Sequence, residues 1–147
     1  MKIELNKIIH ADCMDIMKDI PDKYFELAIV DPPYGINMSQ ELHKRGKSCK
    51  KNNYKEYDYK EWDSKIPDEK YFNELFRISK NQIIWGGNYF IQYLYSTKNI
   101  IVWDKMNDGF SFADGEIAWG SFDKTLRIYR HTRGYTGRIH PTQKPIA

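Results

Sequence analysis

The chain lacks most of the features that assign a protein to a class at sight. Its only two cysteines, Cys13 and Cys49, form neither a C-x-x-C pair nor a metal-ligand spacing. That excludes a disulfide framework and a cysteine zinc site, and it points to a reducing compartment. No apolar run approaches membrane-spanning length. The start, Met1-Lys2-Ile3-Glu4-Leu5, has no long apolar stretch of the signal-peptide kind. The expectation is a soluble, cytoplasmic protein with no membrane partner. Internal repeats and low-complexity tracts are absent, and no Gly-x-Gly occurs; the nearest approach is Gly86-Gly87. Charge of one sign is scarce as well: the formal net charge is +3, which permits a polyanionic partner without requiring one.

Aromatic residues, in contrast, are abundant at 15%, with eleven Tyr and four Trp among 147 residues. Such side chains fill cores and also stack on nucleobases. The length predicts one domain with a substantial core. Basic residues cluster in two places. Lys44, Arg45, Lys47, Lys50, Lys51, Lys55 and Lys60 face only Glu56 and Asp58 over the same stretch, and Arg127, Arg130, Arg133 and Arg138 stand in a segment without an acid.

Apolar patterning predicts alternating strands and helices. Ile8 to Ala11 reads as a short buried strand ended by Asp12, which can cap a short helix through Lys18. Leu27 to Val30 reads as the next strand and as its parallel neighbour. Residues 36–66 are polar without periodicity, and so long a loop inside a compact domain is usually functional or disordered. Pro67-Asp68 starts a helix that places Tyr71, Phe72, Leu75, Phe76 and Ile78 on one side. Strands are expected at Gln82–Trp85, Asn99–Asp104, Glu116–Gly120 and Thr125–Tyr129, with a helix at Tyr89–Tyr95.

One motif carries chemistry. Asp31-Pro32-Pro33-Tyr34-Gly35 follows the apolar run Leu27-Ala28-Ile29-Val30. Each proline fixes its φ and lacks an N–H, and Pro32 drives Asp31 toward extended geometry. The result is a stiff loop at the C-terminal end of a strand, where open α/β sheets bind ligands. It offers a carboxylate, backbone carbonyls and an aromatic face. Those groups suit a planar ring with an exocyclic amine, which would donate to Asp31 and the Pro32 carbonyl while Tyr34 stacks on the ring. A plain strand-ending turn has the same composition.

The chain resembles the S-adenosylmethionine-dependent DNA amino-methyltransferases of the adenine-N6 and cytosine-N4 type. The resemblance rests on Asp31-Pro32-Pro33-Tyr34 and on His140-Pro141-Thr142-Gln143-Lys144-Pro145. Ala11-Asp12-Cys13-Met14, Ile84-Trp85-Gly86-Gly87-Asn88 and Ile100-Ile101-Val102-Trp103 support it in consistent order. It spans nearly the whole chain and matches the permuted class, in which the catalytic motif precedes the cofactor's glycine loop. It implies a Rossmann-like, mostly parallel α/β sheet forming a single catalytic domain over residues 1–147, with a basic loop inserted at about 36–66. In the family the Thr142 segment opens a helix, and a strand and an F-x-G-x-G loop follow. Here the sequence ends at Ala147. The resemblance therefore implies an incomplete sheet whose central cofactor strands lie beyond that residue, with exposed strand edges that self-associate or pair with a completing chain.

Roles follow residue by residue. Asp31, Pro32, Pro33 and Tyr34 are the implied catalytic group. Asp12, Thr142, Gln143 and Lys144 are implied to contact S-adenosylmethionine, although Asp12 reads equally well as a helix cap. Trp85 to Asn88 reads either as a wall of the site or as a simple turn. Lys44, Arg45, Lys47, Lys50, Lys51, Arg133 and Arg138 are expected to hold DNA, from which the target base must be flipped out. No metal is expected, and His140 reads as structural. Asp before Pro-Pro-Tyr favours adenine N6 in the family. Cytosine N4, and an inactive remnant or DNA-binding fragment, are the alternatives.

Overall fold

The computed structural model describes residues 6–38, 61–109 and 113–132. Within them a five-stranded sheet runs in the order β1-β2-β4-β3-β5. The strands are β1 (Phe25–Val30), β2 (Ser79–Trp85), β3 (Ile100–Asp104), β4 (Gly115–Gly120) and β5 (Arg127–Arg130). Two helices accompany them, α1 (Cys13–Met17) and α2 (Glu69–Ile78). The class is α/β, as expected, but the sheet is mixed. β1 pairs with β2 and β3 with β5 in parallel, whereas β4 is antiparallel to both β2 and β3. Connection length explains the reversal of β4. Only residues 105–114 separate it from β3, too few for the crossover that a parallel neighbour requires.

α2 forms where its start signal lies. The Asp68 carboxylate accepts the Tyr71 N–H at 3.2 Å, and the apolar stripe turns Phe72, Leu75 and Ile78 inward. The helix passes into β2 without a loop. Ser79 adopts extended geometry, and its hydroxyl donates to the Leu75 carbonyl at 2.5 Å. Gln82 reaches back to Ser79 through its amide at 2.9 Å. This buried polar cluster is therefore satisfied, as buried polar groups must be. Around it lies the core: Met17, Ile20, Phe72, Leu75, Ile78, Ile84, Phe90 and Trp119.

Two expected elements differ. Residues 8–11 form no strand, and Ile8 is fully exposed, with Ile9 half exposed. The parallel neighbour of β1 is β2 instead, and the other edge of β1 has no partner among the described residues. A short apolar run becomes a strand only where a ladder receives it, and none receives Ile8–Ala11 here. The helix expected at Tyr89–Tyr95 is two short 3-10 turns, Gly87–Tyr89 and Ile91–Tyr93. Aromatic and β-branched residues after a double glycine sustain single turns better than a continuous helix. Among the described residues no helix is long and apolar enough to cross a membrane.

Candidate functional site

β1, β2, β3 and β5 all end at one edge of the sheet, and antiparallel β4 begins there. That edge collects the loop after Val30, the turn after Trp85, the residues after Trp103 and the start of β4. These loops thus meet at the carboxyl ends of the parallel strands, the end at which open α/β sheets bind ligands.

The loop after β1 is held from an unexpected side. Asp63 stands at the end of a 3-10 turn, Glu61–Asp63, and is only 2% exposed. Its Oδ1 accepts the Tyr34 N–H at 2.7 Å and the Gly35 N–H at 2.9 Å, while Oδ2 accepts the Met38 N–H at 2.9 Å. Its main-chain carbonyl accepts the Asn37 N–H at 3.0 Å. A buried carboxylate is costly unless hydrogen-bonded, and N–H donors of this kind form strong, charge-assisted bonds with it. Gly35 sits at φ +70°, a left-handed conformation that lets the loop curl around the carboxylate.

Tyr34 links this anchor to Asp31. Its hydroxyl donates to Asp31 Oδ1 at 2.5 Å. Its ring stacks on Tyr89 with centroids 4.9 Å apart and planes 14° apart, and it meets Phe90 edge-on at 6.1 Å. Gly86 closes the arrangement. It lies at φ +72°, and a Cβ built there would fall 2.3 Å from Tyr34 Cε1. Burial raises the Tyr34 phenol well above its ordinary value, and the hydrogen bond to Asp31 and that residue's charge raise it further. Tyr34 consequently remains a neutral donor to the carboxylate. Asp31 itself is exposed, Pro32 is buried, and Pro33 is half-buried.

Further along the same edge, Lys105 Nζ lies 2.8 Å from Glu116 Oε1 and 5.2 Å from the Trp103 ring centroid, with the Lys105 side chain almost fully buried. The Trp103 indole donates to the His131 carbonyl at 2.8 Å, and Arg130 pairs with Asp104 at 3.1 Å. Among the described residues no cluster of His, Cys, Asp or Glu could hold a metal ion.

No protein-family model and no curated protein matches this chain.

The structure thus brings Asp31, Pro32, Pro33 and Tyr34 together with the turn after Trp85. Asp12 is the N-cap of α1, its carboxylate accepting the Met14 N–H at 2.8 Å. Lys44, Arg45, Lys47, Lys50, Lys51, Arg133, Arg138, Thr142, Gln143 and Lys144 lie outside the described residues. Sequence reasoning missed Asp63, the Tyr34–Tyr89 stack and the Lys105–Glu116 pair. Asp63 is 29 residues from Tyr34 in the chain, and a single acid beside Trp62 carries no local signature. Tyr89 could be suspected only as part of the aromatic excess.

Proposed function

We propose that the protein is a DNA amino-methyltransferase that transfers a methyl group from S-adenosylmethionine to adenine N6. The observation that carries this reading is the Asp31 carboxylate at the end of a parallel strand, held beside the Tyr34 ring by a direct hydrogen bond. An exocyclic aromatic amine is a poor nucleophile because its lone pair is delocalised into the ring. Donation of its two N–H groups to Asp31 and to the Pro32 carbonyl favours a pyramidal nitrogen with a localised lone pair. As the amine attacks, positive charge develops on nitrogen, and a fixed carboxylate stabilises it without reorganisation. The loop's rigidity supports near-attack positioning.

S-adenosylmethionine would supply an electrophilic methyl group on a sulfonium. Of the residues assigned to hold it, Asp12 lies within the described part, and its carboxylate keeps acceptor capacity beyond the single N–H of Met14. DNA is the proposed partner, with the basic segments on its phosphates and the target base flipped toward Asp31.

The test is single-turnover transfer of labelled methyl groups to duplex DNA by the full-length protein in excess, followed by nucleoside analysis. Labelled N6-methyladenine is expected, and Asp31→Ala is expected to abolish it while retaining most DNA binding. N4-methylcytosine would move the target to cytosine. Absence of any labelled nucleoside would overturn the reading.

A further inference from the structure

We propose that Asp63 is a positioning residue of this site: its buried carboxylate sets the conformation of the loop from Asp31 to Met38 and thereby the placement of the Asp31 carboxylate. The inference rests on the methyltransferase reading for its kinetic part and on geometry alone for its structural part.

The geometry runs in one chain of contacts. The Asp63 carboxylate takes the N–H groups of Tyr34, Gly35 and Met38, and its carbonyl takes that of Asn37. Four of the five main-chain N–H groups from Tyr34 to Met38 therefore end on one residue. Fixing the Tyr34 main chain fixes the ring between Tyr89 and Gly86, and the ring's hydroxyl reaches Asp31 Oδ1. These bonds of Asp63 go to main-chain groups of the loop, and Tyr34 is the member of that loop that bonds Asp31, so Asp63 acts through Tyr34.

A purely structural acid would have no reason to concentrate its bonds on this loop. Asp68 is the natural comparison. It too is an aspartate accepting a main-chain N–H, but its partner is the first turn of α2. Without the Asp63 carboxylate, three N–H donors would face a small buried void. A loop with Gly35 in the left-handed region has other conformations to relax into. A displacement of about 1 Å at a reacting group costs about 100-fold in rate.

The experiment compares Asp63→Ala, Asp63→Asn and Asp68→Ala in the full-length protein, reading kcat, KM for DNA, thermal melting and amide hydrogen exchange. Asp63→Ala is expected to lower kcat about 100-fold with KM for DNA little changed. The Tyr34, Gly35 and Met38 amides are expected to lose protection in the same variant. Asp63→Asn keeps one oxygen for Tyr34 and Gly35 but turns an NH2 toward the Met38 N–H, so an intermediate kcat and deprotection confined to Met38 are expected. Asp68→Ala is expected to lower the melting temperature and leave kcat unchanged. If Asp63→Ala does not fold, Asp63→Asn carries the same two readouts.

Unchanged kcat despite lost protection would overturn the positioning role. Unchanged protection at all three amides would overturn the anchor itself. Equal loss of kcat in Asp68→Ala would reduce Asp63 to general stability, and so overturn the proposal. A wild-type protein without any methyl transfer would instead sink the enzymatic reading and the kinetic half with it, while the exchange data still decide the anchor.

Discussion

Gly86 shows how a single hydrogen atom in place of a side chain can shape a site. Its φ of +72° is costly for any L side chain, and its missing Cβ is the space the Tyr34 ring occupies. Gly86→Ala is expected to destabilise the fold by about 1–3 kcal/mol from backbone strain alone. It also has to displace the ring whose hydroxyl holds Asp31, so the proposed methyl transfer is expected to fall more steeply than stability. Melting and single-turnover rates on the same preparation separate the two effects, and a stable, fully active variant would contradict the close approach. The half-buried phenols give a pH signature. Burial raises both Tyr34 and Tyr71 above the ordinary value of 10.0, with the hydrogen bond to Asp31 adding to the shift at Tyr34. A group whose folded pKa is raised binds its proton more tightly in the native state. Its stabilisation is therefore present below the unfolded pKa and is lost as pH rises from there toward the folded value. Melting temperature should accordingly drop above about pH 10. Tyr71→Phe, which cannot ionise, should flatten that drop relative to its own value at pH 8. An equal slope in the variant would exclude Tyr71 as a source.

At the scale of elements, the seam between α1, the following turn and α2 depends on Arg77. Its guanidinium donates to the Ile20 carbonyl at 2.7 Å and the Met17 carbonyl at 2.8 Å, and it pairs with Asp22 and Glu74. Met17 and Ile20 are core residues, so these bonds tie the short helix and its following turn to α2 where they enter the core. A five-residue helix is unstable by itself, so tertiary contacts have to hold it. Arg77→Ala is expected to cost about 1–3 kcal/mol, because it removes the donor of the Ile20 carbonyl and leaves the Met17 carbonyl with the Ile20 N–H. Arg77→Lys should recover little, since one ammonium cannot reproduce the planar fork. Chemical denaturation with a near-full return of stability in Arg77→Lys would show that charge alone suffices. The connections between elements divide in the same way. Asp68 and Asp12 cap helices through bonds within three residues, and both caps are visible in sequence. Asp63 and Arg77 act across gaps of 25 to 60 residues, where no local pattern reports them.

For the whole molecule the feature with most consequence is the side of β1 that has no ladder partner among the described residues. Its only ladder partner among the described residues is β2, and Leu27 and Ile29 point away from the packed face, with Ile29 63% exposed. Ile8 and Ile9 add further exposed apolar surface in the segment before α1. An unpaired edge beside apolar side chains invites association with another strand. Self-association of the 147-residue chain is therefore expected to depend on concentration, and Ile29→Lys should weaken it with little change in melting temperature. Sedimentation velocity over a range of concentrations tests this. A chain that stays monomeric throughout, or a variant that associates as strongly as wild type, would show that this edge is not the sticky one.

Local chemistry determined much that sequence alone could supply. The run before Asp31 has the apolar pattern of a strand bounded by Asp and Pro and became β1 where β2 received it, and α2 began at Asp68 because an acid after proline caps a helix. The placement of Asp31 and Tyr34 at the end of a strand was legible for the same reason. Tertiary structure decided what depends on partners distant in the chain. It inserted β4 antiparallel between β2 and β3, which turned an expected mostly parallel sheet into a mixed one. It left Ile8–Ala11 without a ladder, and no property of those four residues could reveal that. It also brought Asp63 under the Tyr34 loop and Tyr89 against the Tyr34 ring. Caps and strand periodicity are fixed by neighbours within a few residues and are therefore written in the sequence. Sheet order and the burial of one carboxylate are fixed by which distant surfaces meet, and only the folded chain specifies that.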